Sequence, residues 1–208
     1  MIDLTAALAA NPLIAILRGL APENARPVSD VLFDAGFRII EVPLNSPDPL
    51  DSISQIVAKH GAQAIVGAGT VLTMDQVAAA ADAGGRIIVS PNMNPDVGRA
   101  AVARGLYWCP GVMTPSEAFA ALEIGASVLK FFPAEMVAPA AIAAMRAVLP
   151  ADAVIAAVGG ISPDTMAPYH AAGVNGYGLG SALFKPSYTL DDIARRARAF
   201  ASVLEELE

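Results

Sequence analysis

The sequence predicts a (β/α)₈ barrel preceded by a short helix, with residues 1–208 in one domain. Three observations carry this. Short, near-continuous apolar runs recur eight times, as parallel strands covered on both faces require. Longer Ala-rich amphipathic stretches separate them. The polar residues that break the runs fall at or near their C-terminal ends, the face where this barrel builds its sites.

Taken in order, a first helix spans Leu4–Ala10, and the first strand begins near Leu13 (LIAILRG), ending on Arg18. The second begins near Phe37 (FRIIEVPLN) and carries Glu41 and Asn45; the third begins near Ala64 (AIVGAGT) and ends on Thr70. A helix over 73–84 leads to the fourth strand near Arg86 (RIIVSP), whose end, Pro91-Asn92, shapes a loop at the mouth. The fifth begins near Leu106 (LYWCPG), and a helix over 114–125 follows it. The sixth begins near Ser127 (SVLKFFP), the seventh near Ala153 (AVIAAVGG) and the eighth near Gly176 (GYGLGS), before a last helix over 189–207. Thr73, Thr114 and Ser162 are the helix-opening caps, and Gly84, Gly105, Gly125 and Gly173 the closing glycines. Eight units without a linker or composition break favour a closed barrel over an open doubly wound sheet.

Composition narrows the function. With 55% hydrophobic and 16% charged residues, the chain has the apolar content of a folded globule. No apolar run reaches 18 residues, so no membrane partner is expected. The net charge of −7 argues against nucleic acid, whose phosphate backbone demands clustered Lys and Arg, while leaving room for a small phosphorylated ligand. The start, Met1-Ile2-Asp3-Leu4, does not resemble a secretory signal, and the lone Cys109 allows no internal disulfide, so a cytoplasmic address is expected. His60 and His170 show no metal-ligand spacing, and Cys109 and Trp108 read as core.

Of the three lysines, Lys59 and Lys185 read as surface residues, whereas Lys130 interrupts a buried strand. A buried amine needs either a carboxylate partner or a reason to be neutral, and a neutral amine is the nucleophile of Schiff-base chemistry. Glu41 interrupts another strand in the same way. It can serve as proton shuttle, as salt-bridge partner, or as both. Arg18 is a third inward charge, with a fork suited to a carboxylate or phosphate. Gly159-Gly160 and Gly178-Leu179-Gly180-Ser181 close adjacent strands, where loop N–H groups and a hydroxyl recurrently hold a phosphate. Thr70 either binds substrate or caps the next helix.

Leu17-Arg18-Gly19, Glu41-Val42-Pro43-Leu44-Asn45-Ser46-Pro47, Gly67-Ala68-Gly69-Thr70-Val71, Pro110-Gly111-Val112-Met113-Thr114-Pro115, Leu129-Lys130-Phe131-Phe132-Pro133-Ala134-Glu135 and Gly159-Gly160-Ile161-Ser162-Pro163 together resemble the class I 2-keto-3-deoxy-6-phosphogluconate and -galactonate aldolases. The resemblance runs in order from Leu13 to Leu183. It implies a trimeric barrel with no metal or organic cofactor, Lys130 as imine former and Glu41 as proton carrier. It also implies Arg18, Thr70 and the fourth-strand end at Pro91 on the pyruvate moiety, with Gly159, Gly160, Gly180 and Ser181 on the phosphate. The gluconate-specific members commonly carry Thr before the Gly-Gly pair and Arg in place of Asn45. Val158 and Asn45 resemble the galactonate-specific pattern instead. The implied substrate is therefore 2-dehydro-3-deoxy-6-phosphogalactonate, a phosphorylated 2-keto-3-deoxy sugar acid cleaved to pyruvate and D-glyceraldehyde 3-phosphate. Alternatives are the gluconate epimer or both epimers. A sugar-phosphate isomerase or synthase would share the glycine loops without needing Lys130 opposite Glu41, and a non-catalytic sugar-phosphate-binding barrel would release no pyruvate.

Overall fold

A computed structural model describes residues 1–207. Helix α1 (Leu4–Ala10) opens on Asp3, whose carboxylate accepts the Ala6 N–H, and precedes β1 (Leu13–Ile16). There follow α2 (Pro22–Asp34), β2 (Ile39–Pro43), α3 (Pro49–His60), β3 (Ile65–Gly69), α4 (Met74–Asp82), β4 (Ile87–Val89) and α5 (Pro95–Ala103). The second half contains β5 (Tyr107–Cys109), β6 (Gly111–Val112), α6 (Pro115–Ile124), β7 (Leu129–Phe131), α7 (Pro139–Arg146), β8 (Ile155–Val158), α8 (Pro163–Ala171), β9 (Gly176–Leu179) and α9 (Leu190–Leu207).

All strand pairs are parallel, and the order β5-β4-β3-β2-β1-β9-β8-β7-β6 leaves β5 and β6 at the two ends. Those ends are neighbours in sequence, so the sheet closes on itself through Pro110. The eight expected staves are thus nine ladder segments, because a proline cannot donate to the ladder. The fifth stave still pairs with its neighbour: Lys130 N–H donates to the Pro110 carbonyl at 3.0 Å and Ser127 N–H to Trp108 at 2.8 Å.

The period of two along each strand separates two cores. Ile14, Ile16, Ile39, Ile65, Ile87, Val89, Cys109, Val128, Ala156 and Val158 fill the barrel, with Leu4 and Ala7 of α1 packed against them. Ala15, Ile40, Val42, Val66, Ile88, Leu129, Phe131, Ile155 and Ala157 face outward onto the helices. Thr73 with Gln76, and Thr114 with Glu117, form reciprocal capping boxes, and Gly125 ends α6 at φ +106°.

Candidate active site

Because Ile40 and Val42 face the helices, Glu41 must face the barrel interior, and the same parity turns Lys130 inward between Leu129 and Phe131. Glu41 is 2% exposed and Lys130 8%. Both line a small chamber of ≈ 20 Å³ shared with Cys109, Ile14, Ile16 and Val158. A Cβ on Gly69 would overlap the Glu41 carboxylate, so this strand glycine forms the carboxylate's seat. Glu41 Oε2 is buried with no hydrogen-bond partner.

Among the described residues no salt bridge joins Glu41 to Lys130. Burial pushes the Glu41 carboxyl up to about 7, against the opposing pull of Lys130 and Arg18. Burial likewise holds the Lys130 ammonium below its ordinary value, with Glu41 pulling the other way. Lys130 Nζ lies 4.6 Å from the centroid of the Phe132 ring. Cys109 is buried, and its thiol is pushed up to about 12. Among the described residues, no group of three or more His, Cys, Asp and Glu side chains is placed to hold a metal ion.

Arg18 is not inward like the other two charges. It stands exposed at the rim, where Nη1 donates to Asn45 Oδ1 at 2.6 Å and Nη2 to Thr70 Oγ1 at 3.4 Å. Thr70 sits at φ +55°, a left-handed conformation that is strained for a β-branched residue. Gly19 N–H donates to Ser46 Oγ at 2.9 Å, tying the ends of β1 and β2 together.

A cavity of ≈ 710 Å³ at the C-terminal face gathers Arg18, Val158, Gly159, Gly160, Gly180 and Ser181. Ile16, Val158 and Gly178 belong to its wall and to that of the Lys130 chamber. Gly159 (φ +103°) and Gly160 (φ +68°) are both left-handed, which a side chain would resist, and they lead to Ser162 at the start of α8. Asn45 and Thr70 reach the site through Arg18 and are not on the cavity wall. Pro91 is not on it either; its carbonyl packs against Gly111. Lys185, expected as a surface residue, is exposed but lines the cavity with Tyr188 and Arg196. No sequence signal marked Tyr188 or Arg196, since an aromatic in a loop and an arginine on an amphipathic helix are ordinary. A glycine inside a strand, such as Gly69, was a signal that could have been read.

The family model described as "Aldolase: KDPG and KHG aldolase" matches residues 4–197. The chain is 54% identical over 189 residues to a probable 2-dehydro-3-deoxy-6-phosphogalactonate aldolase of Rhizobium meliloti (strain 1021), covering 91% of this chain and 89% of that protein. It is 46% identical over 195 residues to the 2-dehydro-3-deoxy-6-phosphogalactonate aldolase of Escherichia coli (strain K12), covering 94% and 95%. Among solved structures, "Native KDPGal structure" matches with a TM-score of 0.92 at 45% identity, covering 94% of this chain and 95% of that one. A cube-shaped protein cage "designed by fusing symmetric oligomeric domains" also matches at 0.92 and 45%, covering 94% and 73%.

Proposed function

The chain belongs to the KDPG and KHG aldolase family, and from that premise we propose that it cleaves 2-dehydro-3-deoxy-6-phosphogalactonate to pyruvate and D-glyceraldehyde 3-phosphate through an imine on Lys130. The observation that carries this reading is the burial of Lys130 and Glu41 in one chamber with no salt bridge between them. A structural ion pair would lock both charges. Here burial favours the neutral amine and the protonated acid, a pair placed to exchange protons with a substrate.

Neutral Lys130 Nζ adds to the C2 ketone, and the carbinolamine takes the Glu41 proton and loses water, leaving a protonated imine and the Glu41 carboxylate. The imine accepts the electron pair of the C3–C4 bond as it breaks. Glu41 takes the C4 hydroxyl proton through a water, for which the ≈ 20 Å³ chamber has room, and the aldehyde leaves. The proton returns to C3 of the enamine, and hydrolysis frees pyruvate and the amine. Arg18, braced by Asn45 and Thr70, holds the substrate carboxylate. Gly159, Gly160, Gly180 and Ser181 hold the phosphate.

Val158 and the names of the 54% and 46% relatives support the galactonate epimer. The assembly belongs to the same proposal, as a homotrimer. Leu72 and Met74 at the start of α4, and Met113 and Phe119 at the start of and within α6, are exposed apolar side chains. The cage neighbour's symmetric oligomeric domains point the same way. A cytoplasmic address suits a multiply charged substrate that a bilayer excludes.

Incubation with pyruvate and borohydride should leave a stable adduct on Lys130. Release of pyruvate from the phosphogalactonate and phosphogluconate epimers should favour the first. An adduct on Lys59 or Lys185, or none, overturns the imine mechanism; preference for the second epimer overturns the substrate.

A further inference from the structure

Every formal charge on the wall of the ≈ 710 Å³ cavity is positive: Arg18, Lys185 and Arg196. This occurs in a chain whose net charge is −7. Arg18 is engaged at the rim by Asn45 and Thr70. The other two cations are gathered at Tyr188. The guanidinium carbon of Arg196 lies 4.2 Å from the Tyr188 ring centroid, and Lys185 Nζ lies 5.6 Å from it. Both ring and guanidinium are fastened to the loop after β9, which carries Gly180 and Ser181. Tyr188 donates its hydroxyl to the Ser181 carbonyl at 3.5 Å, and Arg196 Nη1 donates to the Ala182 carbonyl at 3.2 Å.

Among the described residues neither Lys185 nor Arg196 has a salt bridge, and Arg196 Nε is buried with no partner. The acids nearby stand outside the wall, although Asp192 feels the Arg196 charge from four residues away on the same helix. Asp192 accepts from Thr189 and Arg195, and Glu135 packs against Gly160 without lining the cavity. A partly buried guanidinium on a wall shared with two N–H-rich glycine loops, where every other formal charge is also positive, is arranged for an anion.

We propose that Lys185 and Arg196, held by Tyr188, form a cation clamp for the phosphate monoester of the substrate. The inference rests on the aldolase reading and extends it. Loop amides hold a phosphate by dipoles alone, whereas the clamp supplies the two formal charges that match a dianion. It makes the phosphate a requirement for productive binding, so the unphosphorylated keto acid is a poor substrate.

Three readouts on the full-length protein test it: KM for the phosphorylated keto acid, competitive inhibition by inorganic phosphate, and borohydride trapping of pyruvate on Lys130. Arg196→Gln should raise KM and weaken phosphate inhibition roughly tenfold or more, the usual loss for a hydrogen bond to a charged group. Lys185→Gln, at an exposed position, should do so by about 2–5-fold. Arg196→Lys should recover part of the loss. Trapping of pyruvate, which has no phosphate, should stay within about twofold of wild type. Phosphate inhibition unchanged in both Gln variants overturns the clamp. So does an Arg196→Gln protein that loses trapping and phosphate inhibition together while Lys185→Gln behaves as wild type, because that pattern marks a loop support. Failure of the wild-type protein to trap pyruvate strikes the aldolase reading instead, while phosphate binding measured by calorimetry on the same variants still decides the clamp.

Discussion

Val158 ends β8 on the wall shared by the Lys130 chamber and the larger cavity. Its methyl groups lean onto Gly178, where an added Cβ would meet Val158 Cγ2 at 2.6 Å. Threonine has nearly the same shape, so Val158→Thr should fold normally and add only a hydroxyl. We expect that hydroxyl to improve kcat/KM for the phosphogluconate epimer relative to the phosphogalactonate epimer. A net hydrogen bond of ~0.5–1.5 kcal/mol corresponds to roughly 2–12-fold. The ratio of the two specificity constants in both proteins is the measurement, and a fixed ratio removes Val158 from epimer choice. Single residues differ in how plainly they show in the sequence. Lys130 and Glu41 stand out because a charge inside an apolar run has few bland explanations. Arg196 does not, because α9 is amphipathic and an arginine on its polar face is unremarkable until the cavity shows what it lines. Asn45 was legible as a site residue, but its work on Arg18 was not, since 27 residues separate the two.

At the scale of elements, β2 and β3 build the carboxylate's position together. Their register pairs Glu41 with Gly67 and Pro43 with Gly69. Glu41 therefore reaches along the ladder to the next inward position of β3, which only a residue without a side chain can vacate. Gly69 does not have positive φ, so Gly69→Ala leaves the backbone permitted and acts on the carboxylate alone. Overpacking of this kind costs about 1–3 kcal/mol. With Glu41 displaced, we expect kcat for cleavage to fall by about 10–10²-fold, while pyruvate trapping on Lys130 persists. Equal losses in both would show that the substitution damages the barrel rather than the seat. The strands and helices themselves were readable because apolar runs, caps and closing glycines agree at each unit. The helices expected over 73–84 and 114–125 are Met74–Asp82 and Pro115–Ile124, each opening on the expected threonine cap. The division of the fifth stave at Pro110 follows from that proline, yet whether a proline ends a strand or only interrupts it depends on its neighbours across the ladder.

The whole molecule carries a thermodynamic cost for holding Glu41 in this barrel. Burial raises its carboxyl from 4.5 to about 7. Below pH 4.5 the folded and unfolded chains both keep this proton. Between 4.5 and about 7 the unfolded chain releases it while the folded chain retains it, so stability falls as pH rises. Above about 7 the folded chain holds a buried carboxylate, and the full difference is about 3 kcal/mol. Lys130 has the opposite slope: its depressed value means that the folded chain binds fewer protons, so its contribution grows with pH up to the ordinary lysine range. Glu41→Gln removes the first effect and also the upward pull on Lys130, which drives that amine further toward neutrality. We therefore expect Glu41→Gln to melt above wild type at about pH 8. The gap is at most roughly 6–12 °C, taking about 2–4 °C per kcal/mol for a chain of this size. It should close as pH falls through 7 toward 4.5. Thermal melts of both proteins at matched concentration, in steps across that window, give the measurement. A gap that stays constant with pH would mean that the Gln variant stabilises by packing alone, and that Glu41 titrates as an ordinary carboxylate.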